Sequence, residues 1–337
     1  MPGTTAAPLR ENKQSAYFSG KRLVDCYTSR VISVGLVHRV SKLAARSVLA
    51  LFASASLVRA GIQTASFESK AVKLLTTSPS TPDTPPAVHL ANISTRLAVG
   101  SGDNVLIAGF IITGSQPKKV IVRALGPELP VLENLADPTL ELHDSSGGIV
   151  AVNDNWRDTQ EDELKATTIP PSNDYDSSIV KSLQPGAYTA VVVGKGGTTG
   201  IALVEVYDLD LTVDSKLANI STRGRVDQDD SVLIAGTIIL GNGPTTVLFR
   251  ALGPSTGIPG RLEDPTLELH DGQGGIVATN DNWQDTQADA IKQTTIPPND
   301  PKESAILQSL SPGAYTAIVR GKNNTTGVAV IEAYQIN

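Results

Sequence analysis

The chain is predicted to be an all-β protein, two tandem β-sandwich domains of jelly-roll-like form, each with about eight strands and at most one short helix. Three observations predict this. The sequence repeats itself at one fixed offset, the repeats consist of short β-branched runs, and Gly, Pro, Asn and Asp punctuate those runs. Residues 90–96 (LANISTR) return at 217–223, and Arg123 to Pro127 (RALGP) returns at Arg250. Asp137 to Asp144 (DPTLELHD) returns at Asp264, Asn153 to Trp156 (NDNW) at Asn280, and Pro185 to Ala190 (PGAYTA) at Pro312. Every pair is 127 residues apart, so the copies align without a net insertion. A period that long means two whole domains and excludes a solenoid of small repeats.

Composition fits this reading. Hydrophobic residues make up 40% of the 337, enough for real cores, while aromatics reach only 4% and Gly (29) and Pro (21) are plentiful. The net charge of -6, with no basic, aromatic-rich patch, argues against a nucleic-acid partner. Cys26 is the single cysteine, so neither an intrachain disulfide nor a Cys-based zinc site can form.

Taken in chain order, residues 1–65 read as a leader. A basic stretch, His38 to Arg46, precedes an apolar run from Ser47 to Val58, and Ala53-Ser54-Ala55 supplies a small-residue cleavage pattern. This is the organisation of a secretory signal peptide, with the mature N-terminus expected between Ala55 and Gly61. The run is too short to span a membrane. Its distance from Met1 points to a translation start further downstream, near Val31 to Val37. Residues 66–89 form a Ser/Thr/Pro-rich linker. The first sandwich repeat covers 90–208, the second 217–337, and 209–216 is a short joint without Gly or Pro, which predicts closely placed domains. Each repeat is expected to fold alone, with a single intertwined sandwich as the competing arrangement. Asp158 to Thr167 carries the one helical signal, with Asp158 as its cap. Gly194 to Gly200 (GKGGTTG) joins two strands without opening a helix, so it reads as a hairpin loop and not a phosphate loop.

The stretch Asp137 to Trp156, followed by Leu183 to Val191 (LQPGAYTAV) and Thr199 to Leu203 (TGIAL), resembles the bacterial pre-peptidase C-terminal domain. The resemblance covers the second half of each copy. The first half, with LANISTR and RALGP, resembles uncharacterised repeat modules of large secreted proteins of environmental bacteria. Together they imply an extracellular accessory module, not a protease, and the first family implies calcium near the Asp/Asn turns.

The residues themselves offer few sites. Asp137, Asp144, Asn153 and Asp154, with Asp264, Asp271, Asn280 and Asp281 in the second copy, are oxygen ligands on adjacent turns and the candidates for Ca²⁺. The competing reading, which is favoured, makes them turn formers bonded to local amides. Glu141 and His143, like Glu268 and His270, share one strand face and read as its solvated side. Arg123 and Arg250 read as loop-pinning forks onto carboxylates. Trp156 and Trp283 would bind a sugar if exposed and close the sandwich end if packed. No nucleophile elbow, H-E-x-x-H or phosphate loop is present, and nothing marks an enzyme. The expectation is a secreted, non-catalytic structural or adhesive module pair that contacts an extracellular or cell-surface protein or glycan and is able to self-associate. A carbohydrate-binding accessory protein is the alternative. A hydrolase with an unrecognised site stands third. No cofactor is required, Ca²⁺ being the only one suggested.

Overall fold

The computed structural model describes residues 88–102, 104–228 and 231–336. The leader, its cleavage region, Cys26 and the linker up to residue 87 lie outside the described residues. In the first copy the strands are β1 (His89–Val99), β2 (Leu106–Thr113), β3 (Lys118–Leu125), β4 (Pro138–Asp144), β5 (Ile149–Asn153), β6 (Ser177–Leu183), β7 (Gly186–Gly194) and β8 (Gly200–Asp208), with helix α1 (Glu161–Ala166) between β5 and β6. The second copy repeats the series as β9 (Lys216–Val226), β10 (Leu233–Leu240), β11 (Thr245–Leu252), β12 (Pro265–Asp271), β13 (Ile276–Asn280), β14 (Ser304–Leu310), β15 (Gly313–Gly321) and β16 (Gly327–Ile336), with α2 (Ala288–Gln293) between β13 and β14.

Period-two patterning sets the layers. In β3, Val120, Val122 and Ala124 point into the main core, while Ile121 points outward into a second cluster with Trp156, Leu164, Ile169 and Val180. Each copy therefore forms two four-stranded antiparallel sheets, β6-β3-β8-β1 against β5-β4-β7-β2, which is the jelly-roll order. The α1 segment covers the outer face of the first sheet.

The copies do not end at their own edges. β1 pairs with β10 of the second copy, from His89↔Leu240 to Arg96↔Ile234, and β9 pairs with β2 of the first, from Lys216↔Thr113 to Arg223↔Ile107. Each sheet thus continues from one copy into the other. The main core is likewise common, running from Leu90 through Ile220 to Ala333. The joint is fastened from the first copy's β2–β3 turn. Asp214 accepts from Ser115, Ser215 Oγ donates to the Gln116 carbonyl, and the buried Lys118 ammonium reaches Asp208 at 2.9 Å and the Asp210 carbonyl at 2.5 Å. Gly114, at φ 110°, lies so close to Ser215 that an added Cβ would meet its Cα at 2.5 Å.

Two local expectations are corrected. The helix begins at Glu161 behind Gln160, which makes no side-chain cap bond, and Asp158 instead accepts from the Asn155 amide at 3.1 Å. Gly194 to Gly200 is not a hairpin loop. β7 and β8 belong to opposite sheets, so this turn arches across the sandwich end. Among the described residues no helix is long and apolar enough to cross a membrane.

Candidate functional site

Jelly-roll connectivity gathers the β3–β4, β5–β6 and β7–β8 connections at one end of each copy. Hydrogen bonds lock these three loops together. In the first copy, Asp176 Oδ1 accepts the Gly126 N–H at 2.7 Å, and Glu128 Oε2 accepts the Ser172 N–H and hydroxyl at 2.5 and 2.7 Å. Leu135 N–H donates to the Ile201 carbonyl, and Lys195 N–H to that of Asp137. Gly126 is required because a Cβ there would lie 2.0 Å from the Leu135 carbonyl oxygen.

The calcium candidates separate on this frame. Asp137 and Asp154 do come together, but around a cation the chain supplies: Lys195 Nζ is 2.6 Å from Asp154 Oδ2 and 3.7 Å from Asp137 Oδ2. Lys322 does the same between Asp281 (2.6 Å) and Asp264 (3.9 Å). Hydrogen bonding to Asp154 and Asp281 raises the two ammonium pKa values above the ordinary lysine range, which keeps both charged. Asp144 sits at the far end of β4 from Asp137, about 20 Å away at the rise of a strand. There its Oδ1 accepts from Ser146 N–H, Ser146 Oγ and Gly148 N–H, which hold its carboxyl below the usual range. Asp271 makes the same turn with Gln273 and Gly275. Asn153 is buried and spends its amide on the Asn155 carbonyl and the Ser178 N–H, as Asn280 does on Asn282 and Ala305. Two carboxylates bridged by an ammonium are fewer than the six to eight oxygens Ca²⁺ takes, while Asp137 Oδ1, Asp154 Oδ1 and Asn155 Oδ1 are buried there without a hydrogen-bond partner.

The tryptophans are packed. Trp156 and Trp283 are buried, and their indole N–H groups donate to the Asn173 and Asp300 carbonyls at 3.0 and 3.1 Å. The Arg157 guanidinium caps the Trp156 ring at 4.1 Å. Neither indole offers a face to a sugar. Tyr175, 59% exposed on the same loop, does. Across the sheet, Arg123 forks onto Glu205, its direct cross-strand partner, and donates to the Ile169 carbonyl at 3.0 Å, pinning the loop after α1. Tyr207 donates to Glu205 at 3.1 Å beneath the same guanidinium. Burial opposes the charge of Arg123, but the Glu205 carboxylate together with Tyr207 and Glu128 leaves the guanidinium above its ordinary pKa. Arg250, Glu332, Tyr334 and the Ile296 carbonyl repeat the network. His143 is not the solvated residue expected: it is buried, 2.9 Å from Glu141 through Nε2, and faces the Gly147 carbonyl through Nδ1.

Sequence reasoning passed over Glu205, Tyr207, Asp176 and Lys195. The first two had a signal, E-V-Y returning as E-A-Y inside otherwise apolar strands, and Lys195 recurs after Gly as Lys322. What stays exposed at this end differs between copies. Leu132 (90% exposed) and Tyr175 stand on the β3–β4 and β5–β6 loops of the first copy, where the second has Pro259 and Lys302.

No family model matches the chain, and no curated protein matches it. Among solved structures, a chain from the atomic structure of Sulfolobus turreted icosahedral virus is 10% identical, with 74% of this chain and 89% of that one covered at a TM-score of 0.21. A likeness of that degree carries no argument.

Proposed function

We propose that the chain is a secreted, non-catalytic module pair that works by contact with an extracellular or cell-surface partner through the loop end of its first copy. The observation that carries this reading is the exposed Leu132 and Tyr175 on loops tied to one another by internal hydrogen bonds. A rigid platform presenting one aliphatic and one aromatic side chain binds at low entropic cost. In the second copy the same loops carry residues that do not recruit partners in this way, so one end is specialised. Tyr175 also keeps the carbohydrate-binding alternative in view, since a single exposed ring can stack on a sugar.

The test is binding of the fluorescently labelled full chain to cells and to a glycan array, beside a Leu132→Ser/Tyr175→Lys variant. Several-fold weaker cell binding by a variant of unchanged melting temperature is expected. Equal binding by both proteins would remove the loop end from the proposal, and array signals lost with Tyr175 would favour the glycan reading. Calcium should be irrelevant to either outcome: the melting temperature of the full chain is expected to be the same in excess Ca²⁺ and in chelator, because Lys195 and Lys322 already occupy the Asp pairs. A rise with Ca²⁺ would show that the ion displaces them.

A further inference from the structure

The contact between the copies has the geometry of a two-fold dimer. β1 meets β10 in the same register as β9 meets β2: Ser94↔Gly236 and Thr95↔Ala235 correspond to Ser221↔Gly109 and Thr222↔Ala108. Even the register shifts correspond, between Leu90 and Asn92 on β1 and opposite Leu217 and Asn219 for β9. Equivalent residues meet each other on the axis. Leu90 pairs with Leu217, and the buried Thr95 and Thr222 hydroxyls share a hydrogen bond of 2.7 Å. Such a surface is isologous, complementary to itself.

One position on the axis breaks the symmetry. Leu97 is buried, and its equivalent 127 residues later is Gly224. The two face each other, for a Cβ placed on Gly224 would lie 2.5 Å from Leu97 Cδ2 and 3.1 Å from Cδ1. The leucine of one copy fills the space left by the glycine of the other. A pair of first copies would bring two leucines into that space, and a pair of second copies would leave it empty.

We infer that the β1–β2 edge of each copy is a docking surface for another copy of the same module, and that Leu97 against Gly224 selects the unlike copy. The covalent joint at 209–215 is then dispensable for holding the halves together. This inference is independent of the contact function proposed above. It also bears on how the chain avoids mispairing with its neighbours, since self-complementary edges between near-identical modules otherwise permit open-ended assembly.

The test uses the full chain with a protease site inserted between the exposed Thr212 and the following Val213. After cutting, the fragments are expected to co-elute at the mass of the intact chain, with an unchanged circular dichroism spectrum. Separation or unfolding of the fragments on cutting would overturn the docking surface. The selectivity is read by native mass spectrometry after the cut chain has been taken through urea and back. Mixed pairs should exceed pairs of first copies by at least about tenfold, roughly 1.4 kcal/mol. Leu97→Gly, with Leu97→Ala as the milder variant, should allow pairs of first copies to form. Pairs of first copies as abundant as mixed pairs in the unaltered chain, no change in either variant, or failure of the fragments to re-pair, would each count against the assignment.

Discussion

Replacing Arg123 with alanine should cost about 3–5 kcal/mol of stability, the usual result of breaking a buried ion pair from one side. The reason is what remains. Glu205 is 4% exposed, its Oε2 bonded by Arg123 and its Oε1 by Tyr207, so without the guanidinium a carboxylate is left in the sheet with one neutral donor. The Ile169 carbonyl loses its donor too, which frees the loop after α1. Removing the charges together should cost far less. In Arg123→Met/Glu205→Leu/Tyr207→Phe no charge is left buried and only the Ile169 carbonyl lacks its donor, so stability should return to within about 1–2 kcal/mol of the original. Arg250→Ala supplies an internal replicate because its contacts to Glu332 and Ile296 are the same. Urea unfolding of the full chain measures all three variants. A loss below about 1 kcal/mol for Arg123→Ala would place the pair among solvent-screened surface bridges and refute its loop-pinning role.

How much of this was legible follows from the range of each signal. Strand number, turn positions and the two-copy plan are local or periodic, so residues such as Val120, Val122 and Ala124 declare their faces without a structure. Strand partners are not local. The runs LANISTR and LIAG are the same whether they pair within a copy or between copies, so the sequence offers a single intertwined sandwich as an alternative but does not name the edge pairing of β1 with β10 and of β9 with β2. The calcium candidates divide along the same line. Asp137 and Asp144 look clustered in sequence but stand at opposite ends of one strand, an argument available from strand rise alone. The approach of Lys195 to Asp154 spans 41 residues and two loops, and only the folded arch reveals it. Trp156 was readable in part, since its N–H demanded an acceptor if buried, but the Asn173 carbonyl could not be named in advance.

The stability of the chain should fall as pH rises from about 4 to about 7, and the fall should originate in the first copy. Asp176 is fully buried; burial, against the Gly126 N–H and with the neighbouring Glu128 adding repulsion, pushes its carboxyl from 3.8 up to about 7 despite Arg123 nearby. Asp208 moves the same way, to about 6, because burial outweighs Lys118. A raised carboxyl binds its proton more tightly in the folded state. Its contribution is therefore complete below the unfolded value and lost as pH climbs through the folded one. For Asp176 the shift corresponds to on the order of 4 kcal/mol. The carboxyls held below their ordinary values, Asp144, Glu161 and Asp210, act only at the acid side of this window. The second copy differs at both positions. Glu303 stands in place of Asp176 and accepts from Gly253 N–H, Ser255 N–H and Ser255 Oγ, while Ser255 replaces the repelling Glu128. Thr245 and Gln335, bonded at 3.1 Å, replace Lys118 and Asp208. Asp176→Asn should accordingly remove the slope between about pH 6 and 7 and roughly halve it between about pH 4 and 6, where the Asp208 part remains. Urea midpoints of the full chain and the variant, taken at half-unit steps, decide it. An unchanged slope in Asp176→Asn would mean that the carboxyl is already ionised in the folded protein.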